Sequence, residues 1–128
     1  MAIQGLNHFT VLTDDLDASV EFYRSILGLE PGARPPFAFP GAWLYCGGLP
    51  VLHIVAGRGV PDGAGVIDHV ALTAANLTDT IGTLKARGIG YTLRRQPSTG
   101  EWQLFCHDPN GARLELDFPA SERAPESA

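Results

Sequence analysis

The sequence has no long apolar run, almost no lysine and little cysteine. No apolar stretch approaches the roughly twenty residues that a membrane-spanning helix needs, so we expect no membrane partner. Lys85 is the only lysine and the formal net charge is −5, so the chain lacks the basic stripe that binds a phosphate backbone. We therefore expect no nucleic acid partner. Met1 leads directly into the first predicted strand rather than into a charged and apolar leader, which favours a soluble, cytoplasmic protein.

Cysteine is limited to Cys46 and Cys106, which lie in predicted strands of separate halves of the chain. The two make no metal-ligand spacing with each other or with a histidine. Because free cysteine commonly behaves as a small buried hydrophobe, we predict that both are reduced core residues.

The residues that are present form one structural unit written twice. The first unit opens with Asn7-His8-Phe9-Thr10-Val11 and the second with Asp68-His69-Val70-Ala71-Leu72. Aligned on the two histidines without a gap, the helical positions match in pairs: Leu16 with Leu77, Val20 with Ile81, and Tyr23 with Leu84. Each unit then ends in a short apolar strand with one potential ligand, His53 in the first and Glu115 in the second. The ligand separations are 53 − 8 = 45 and 115 − 69 = 46 residues.

Each half reads as strand, helix, strand, strand, strand, which predicts an α+β fold. With 128 residues the chain is long enough for one domain with a full core, so the two halves must share that core. We expect a single domain over residues 1–120, with the first unit at 5–57, a linker at 58–65 and the second unit at 66–118, followed by a flexible tail at 119–128. An aspartate before Leu16 and Asn76 are expected to cap the two helices. Residues 108–111, Asp-Pro-Asn-Gly, predict a turn before the last strand.

The alternation of side chains predicts a polar face on each sheet. In the first strand of each unit the bulky residues point away from the histidine, and in the last strand Leu114 and Leu116 lie opposite Glu115. If a pseudo-twofold relates the units, His8 meets His69 and His53 meets Glu115 at the centre. Neutral imidazoles with one carboxylate suit Fe, Mn, Ni, Co or Zn and leave positions open for water or substrate. The alternative is four unrelated residues, with each histidine satisfied by a backbone hydrogen bond.

In this order the motifs resemble the vicinal oxygen chelate superfamily, the glyoxalase, bleomycin and fosfomycin resistance, and extradiol dioxygenase group. The motifs are listed here in chain order: Asn7-His8, residues 22–29 (Phe-Tyr-Arg-Ser-Ile-Leu-Gly-Leu), Asp68-His69-Val70-Ala71, residues 108–111, and Leu114-Glu115-Leu116. The resemblance covers Leu6 to Phe118. It implies tandem βαβββ modules whose curved mixed sheets enclose a central metal cup, with helices outside and one divalent ion per site. His8, His69 and Glu115 then occupy the usual ligand positions.

His53 departs from the resemblance. It stands where lactoylglutathione lyases resemble one another in carrying a glutamate, and a histidine changes the charge and basicity of a group that takes part in proton transfer. A strict lactoylglutathione lyase is therefore not predicted. His53 is either a fourth ligand or an acid/base beside the metal, and Glu115 is the other candidate catalytic residue. Two histidines and one carboxylate also form the ligand set of non-haem Fe(II) oxygenases.

Candidate substrate-binding residues combine aromatic rings with a cation or an amide. They are Arg34, Phe37, Phe39, Trp43, Tyr45, Trp102 and Gln103. Such residues line a pocket for an aromatic or thiol-bearing substrate, or they form a rigid connector that packs on the core or on a second chain. His107 has no equivalent in the first unit and is left out of the ligand set.

Three functional hypotheses follow. The first is a divalent-metal enzyme that binds vicinal oxygens of a small substrate, as a glyoxalase-like lyase or isomerase or as an extradiol ring-cleaving dioxygenase. The second is a metal-free protein that binds or sequesters a small molecule such as a drug. The third is a catalytic fold retained as an interaction domain. By resemblance alone, we expect a homodimer.

Overall fold

Each half of the chain folds into a four-stranded sheet and one helix. The computed structural model describes residues 2, 4–63, 65 and 67–126. It separates into unit 1, Met1–Pro61, and unit 2, Asp62–Ala128, with a boundary inside the predicted linker. Ala64 of that linker, Val66 of the predicted strand and residues 127–128 of the predicted tail lie outside the described residues.

The order of elements in both units is strand, helix, strand, strand, strand, which confirms the predicted βαβββ pattern. Unit 1 contains β1 (Phe9–Thr13), α1 (Leu16–Leu27), β2 (Glu30–Gly32), β3 (Gly41–Cys46) and β4 (Leu49–Ala56). Unit 2 contains β5 (Val70–Thr73), α2 (Leu77–Ala86), β6 (Tyr91–Arg95), β7 (Trp102–His107) and β8 (Arg113–Phe118).

The two sheets have the same topology. Their strand orders are β1-β4-β3-β2 and β5-β8-β7-β6, with one parallel pair between the first and last strand of each unit and antiparallel pairs elsewhere. His53 in β4 pairs with Thr10, and Glu115 in β8 pairs with Ala71. Each partner lies two residues after the histidine of its unit. The register therefore confirms that His53 and Glu115 occupy equivalent positions in the two units.

Helix α1 begins and ends as predicted, but its buried face is shifted. The Asp15 side chain accepts a hydrogen bond from the Ala18 backbone N–H, and Gly28 ends the helix with φ 70°, a conformation that favours glycine. Of the helical positions Leu16, Val20 and Tyr23 that the repeat picks out, only Tyr23 is buried; the other buried residues of the helix are Ser19, Phe22 and Ile26. This helix is apolar around more than one stripe, so sequence spacing alone did not select the face that packs on β3 and β4.

Helix α2 buries the predicted residues but is capped from elsewhere. Leu77, Ile81 and Leu84 are all buried. Asn76 is the N-cap residue, yet its side chain makes no capping hydrogen bond. The Glu122 carboxylate accepts hydrogen bonds from the backbone N–H groups of Asn76 and Leu77, at 3.0 and 2.7 Å. The segment after β8, predicted as a flexible tail, thus has partners in α2.

The strands of unit 2 place their apolar side chains on one face. Leu114, Leu116 and Phe118 of β8 are 0–3% exposed, whereas Arg113 and Asp117 are half-buried. Leu104 and Cys106 of β7 are also buried. The opposite face of these strands carries Glu115 and its neighbours.

The two cysteines differ from each other. Both are free thiols, and Cys106 is buried as predicted. Burial raises the pKa of the Cys106 thiol to about 11. Cys46 is exposed, so the prediction that it is a core residue was wrong. It is the last residue of β3, where the strand turns into Gly47-Gly48 and its side chain leaves the core.

Candidate metal centre

The two histidines that open the units are held in the same way. Each lies immediately before a strand, His8 before β1 and His69 before β5. His8 Nδ1 lies 2.7 Å from Asn7 Oδ1, and His69 Nδ1 lies 2.7 Å from Asp68 Oδ2. An oxygen of this kind accepts, so Nδ1 carries a proton, and in the neutral imidazole Nε2 is then the nitrogen with the lone pair. Both rings therefore present Nε2 as the atom available to a metal ion.

His69 and Glu115 form a pair in unit 2. His69 Nε2 lies 3.1 Å from Glu115 Oε1, and Glu115 is 8% exposed. The hydrogen bond to His69 is the main cause that lowers the pKa of Asp68, and Arg113, 2.9 Å from the same Asp68 oxygen, lowers it further. A nitrogen and an oxygen donor, each from a different element, thus lie side by side.

A continuous chain of hydrogen bonds supports this pair across the sheet. Arg94 Nε donates to Gln103 Oε1 at 2.9 Å, which orients the amide so that Gln103 Nε2 donates to Glu115 Oε2 at 3.2 Å. Glu115 Oε1 is the oxygen that faces His69. Gln103 was predicted as a substrate-binding residue; in the structure it fixes which oxygen of Glu115 is engaged by the protein.

Asp117 adds a second carboxyl group beside Glu115. Burial raises the pKa of Asp117 to about 6, and the hydrogen bond to Glu115 and its charge act in the same direction. Asp117 Oδ1 is buried without a hydrogen-bond partner among the described residues. Asp117 therefore keeps its proton up to about pH 6, beside Glu115.

In unit 1 three rings form a stack. The His8 and His53 rings lie 3.8 Å apart with an interplanar angle of 17°, and Trp43 covers the other face of His53 at 3.9 Å and 8°. Trp43 and His53 are directly paired across β3 and β4. Burial is the main cause that lowers the pKa of His53, and the charge of His8 lowers it further. His53 Nε2 is buried and has no hydrogen-bond partner in the described part of the chain.

The predicted pocket residues of unit 1 continue from this stack. Phe37 lies 6.4 Å from Trp43 and stacks on Phe39 at 5.1 Å. Arg34 donates to the Phe39 backbone oxygen at 2.7 Å, and its guanidinium lies 5.2 and 5.1 Å from the two phenylalanine rings. Tyr45 donates from its hydroxyl to the Ala33 backbone oxygen. These contacts brace the loop before β3, and Phe37 remains 45% exposed at its surface.

Gly41 shows how closely this loop packs. A Cβ at this position would lie 2.4 Å from the Ile54 backbone oxygen and 3.0 Å from the Arg34 guanidinium. Glycine is therefore required where the loop enters β3.

A cavity of about 290 Å³ opens beside Glu115 in unit 2. Its lining residues are His69, Thr92, Leu93, Arg94, Phe105, Arg113 and Glu115. The guanidinium groups of Arg94 and Arg113 lie 5.5 and 4.5 Å from the centre of the Phe105 ring. A second cavity of about 460 Å³ shares Thr92, Phe105 and Arg113 with the first. Arg94 and Arg113 thus place two cations on the wall of the first cavity, beside the Glu115 carboxylate.

Trp102 lies away from this cavity. It alternates with Gln103 along β7 and shares the face of the buried Leu104. Its indole Nε1 donates to the Glu122 backbone oxygen at 2.8 Å, and Arg95 lies 3.7 Å above its ring. The aromatic ring that lines the cavity of about 290 Å³ in unit 2 is that of Phe105.

The four predicted ligands fall into two pairs, His8 with His53 and His69 with Glu115. No group of three or more His, Cys, Asp or Glu side chains suited to a metal ion occurs among residues 2, 4–63, 65 and 67–126. Imidazole nitrogen and carboxylate oxygen are each donor types that suit a divalent ion of borderline softness.

Several residues that surround the predicted ligands were not identified from the sequence. Asn7 and Asp68 were noted only as parts of motifs, although their position directly before each histidine was a signal that they orient the rings. Arg94, Phe105 and Asp117 share the face of Glu115 by strand register. Their shared face can be recognised only when the neighbouring strands are known, and the sequence alone did not define the order of the strands.

None of the helices in the described ranges is long and apolar enough to span a membrane.

Comparison with known proteins identifies relatives over most of the chain. It is 29% identical to glyoxylase I 4 of Arabidopsis thaliana, over 89% of this chain and 70% of that protein. It is 33% identical to glutathione transferase FosA of Serratia marcescens, over 89% of this chain and 80% of that protein.

Solved structures share the fold. A glyoxylase/bleomycin resistance protein/dioxygenase domain from Frankia sp. has a TM-score of 0.75 at 20% identity, covering 95% of this chain and 96% of that one. A mutant of the fosfomycin resistance protein FosX from Listeria monocytogenes, complexed with Mn(II) and 1S,2S-dihydroxypropylphosphonic acid, has a TM-score of 0.75 at 18% identity, covering 91% and 93%. Residues 5–116 match the family description itself. The chain therefore belongs to the Glyoxalase/Bleomycin resistance protein/Dioxygenase superfamily.

Proposed function

We propose that this protein is a divalent-metal-dependent enzyme that binds two adjacent oxygens of a small substrate. The observation that carries the proposal is the His69–Glu115 pair, in which the donor atoms lie 3.1 Å apart while Asp68 and Gln103 hold the other atoms of both side chains. Carboxylate–histidine arrangements of this kind orient ligands for a metal ion.

The proposed ligands are His8, His69 and Glu115. His8 joins the pair because Asn7 holds its ring as Asp68 holds that of His69. When bound, the ion would supply Lewis-acid stabilisation of negative charge on a substrate oxygen. The protein itself would orient the ligands, and the Asp117 carboxyl group would hold or release a proton beside Glu115.

The proposed substrate carries a negative group next to its metal-binding oxygens. Arg94 and Arg113 support this, because both line the cavity next to Glu115 in a chain whose net charge is −5. The ligand named for the FosX structure from Listeria monocytogenes has two neighbouring hydroxyl groups and a phosphonate, which agrees with this description.

We favour non-oxidative chemistry of the lyase, isomerase or addition type. Two relatives of known type, a glyoxylase I and a glutathione transferase, support this choice. Extradiol ring cleavage remains the second candidate, since two histidines and one carboxylate are also the ligands of Fe(II) oxygenases.

The test is metal titration of the purified, metal-stripped protein. We expect one Mn(II), Fe(II), Co(II), Ni(II) or Zn(II) ion per site, and loss of binding with retained folding in Glu115→Ala. Glu101→Ala, which changes an exposed carboxylate, should bind as wild type does. Absence of metal binding in the wild-type protein would contradict the proposal and favour metal-free sequestration of a small molecule. Anaerobic reconstitution with Fe(II), followed by catechol oxygen uptake, and assays of thiol-adduct consumption with each metal separate the two reaction classes.

We also propose that the protein is a homodimer. Leu6 and Ile67 stand at equivalent positions, two residues before each histidine, and are 81% and 74% exposed. Apolar side chains this exposed support coverage by a second chain. Light scattering that gives the mass of one chain at micromolar concentration would contradict this.

A further inference from the structure

We infer that His53 is a positioning residue that orients His8 by stacking, and that it is not a ligand of the ion that His8 binds. The inference rests on the proposed function in one respect, the assignment of His8 as a ligand. It goes beyond that function because it assigns a role to His53 and to Trp43, which the chemistry of the site does not otherwise use.

The geometry of the stack separates the two histidines. An imidazole binds a metal ion through a lone pair that lies in the plane of its ring, at about 2.0–2.1 Å. The His8 and His53 rings lie face to face, 3.8 Å apart and only 17° from parallel. An ion in the plane of one ring therefore lies above or below the plane of the other. As they are placed, the two rings cannot bind the same ion.

The exposure of the two rings indicates which of them is the ligand. His8 Nδ1 has the same kind of partner, at the same 2.7 Å, as His69 Nδ1, so the two rings are prepared alike. His53 has a backbone partner, Pro50, instead of a side-chain acceptor, and its Nε2 is buried, whereas His8 is exposed. The His53 ring lies between His8 and Trp43, with both faces covered at 3.8 and 3.9 Å.

The stack supplies an orientation that the Asn7 hydrogen bond alone does not. His8 is exposed and precedes β1. Its hydrogen bond to the Asn7 amide oxygen leaves the imidazole ring free to rotate about that bond. His53, by contrast, is fixed by strand pairing to Thr10 on one side and to Trp43 on the other. Because the His53 ring is flat and fixed, the His8 ring that stacks on it is limited to one plane. His8 Nε2 then points in one direction.

The test compares two substitutions at His53. His53→Phe keeps a flat ring but removes both nitrogens, whereas His53→Ala removes the ring. We expect His53→Phe to bind Mn(II) within about threefold of wild type by calorimetry, and His53→Ala to bind roughly 10- to 100-fold more weakly, as for other residues that orient metal ligands. His107→Ala, which removes an exposed imidazole at the end of β7, is the matched control and should bind as wild type does. Equal losses in the two His53 variants, or no loss in either, would overturn the inference.

A second measurement tests, in the metal-free protein, whether the His53 ring stacks on His8. The ring-proton resonances of His8 should lie upfield in the wild type and in His53→Phe, because an aromatic ring covers the imidazole, and should move downfield in His53→Ala. If His53→Ala does not fold, the comparison is made at Trp43, whose ring stacks on the other face of His53. Trp43→Phe keeps an aromatic ring there, whereas Trp43→Ala removes it. Unchanged His8 resonances after loss of the His53 ring overturn the inference even if the wild-type protein binds no metal. Absence of metal binding together with the expected shifts overturns only the proposed function.

Discussion

At the scale of single residues, the proposed metal site depends on the side chains that orient the proposed ligands as much as on the ligands themselves. A histidine next to an acceptor keeps one tautomer, and the acceptor directly before it in the chain costs little entropy to place. Asn7 and Asp68 have this position in the two units. Asp68 carries a negative charge that Asn7 lacks, and it also forms an ion pair with Arg113. We therefore expect Asp68 to contribute more than Asn7 to the orientation of the histidine that follows it.

Substitution of Asp68 should therefore weaken metal binding without removing a ligand. We expect Asp68→Ala to lower the affinity for Mn(II) roughly 10- to 100-fold, because the His69 ring loses the partner of Nδ1. Asp68→Asn keeps an acceptor oxygen and should recover most of the affinity. Calorimetric titration measures both, with Asp62→Ala as the control for loss of an exposed carboxylate. An affinity for Asp68→Ala equal to that of wild type would show that the hydrogen bond does not orient His69.

Asp117 should make stability fall as the pH rises. The pKa of its carboxyl is raised from an ordinary 3.8 to about 6, so the folded state favours the protonated form. The stabilisation is complete below pH 3.8 and is lost as the pH rises through 6. In the metal-free protein, we expect Asp117→Asn to increase the free energy of unfolding by about 1 kcal/mol at pH 7 and by less at pH 5. Urea denaturation at the two pH values measures this; a gain that is larger at pH 5 contradicts the assignment.

At the scale of elements, register decides which side chains meet. Trp43 lies opposite His53 in unit 1, and Phe105 lies opposite Glu115 in unit 2, so each candidate site residue has an aromatic neighbour on the antiparallel strand. The repeated sequence predicted the equivalence of His53 and Glu115. It did not predict these neighbours, because β3 and β7 carry no shared residues that align them.

The start of α2 offers a test at the same scale. The Glu122 carboxylate replaces the side-chain cap that Asn76 does not form, and it accepts from two backbone N–H groups. We expect Glu122→Ala to lower the free energy of unfolding by about 1 kcal/mol, as for loss of other N-caps. Urea denaturation measures the change. Glu126→Ala removes an exposed carboxylate from the same segment and should leave stability unchanged; an equal effect in both variants would show that the cap is not the cause.

At the scale of the whole molecule, the proposed ligand set draws on both units. His8 belongs to unit 1, whereas His69 and Glu115 belong to unit 2. Metal binding and folding are then linked, because an ion bound only by the folded state stabilises it by mass action.

We expect saturating Mn(II) to stabilise the protein by about 2.7 kcal/mol at a free concentration 100 times the Kd. Both His8→Ala and His69→Ala should remove most of this gain, and His107→Ala should retain it. Thermal unfolding with and without metal measures the three variants. Full stabilisation in His8→Ala would show that unit 2 binds the ion without unit 1.

The sequence by itself determined the repeated βαβββ order, the two opening histidines and the equivalence of His53 with Glu115. These features follow from local periodicity and from spacing along the chain, which act between residues that are near in sequence. The tertiary structure alone decided the shifted face of α1, the exposure of Cys46, the cap that Glu122 provides, and the placement of Trp102 away from the cavity. It also placed the ring of His53 against that of His8. Each of these depends on contacts between residues that strand pairing and packing bring together from distant parts of the chain, and local sequence does not encode those neighbours.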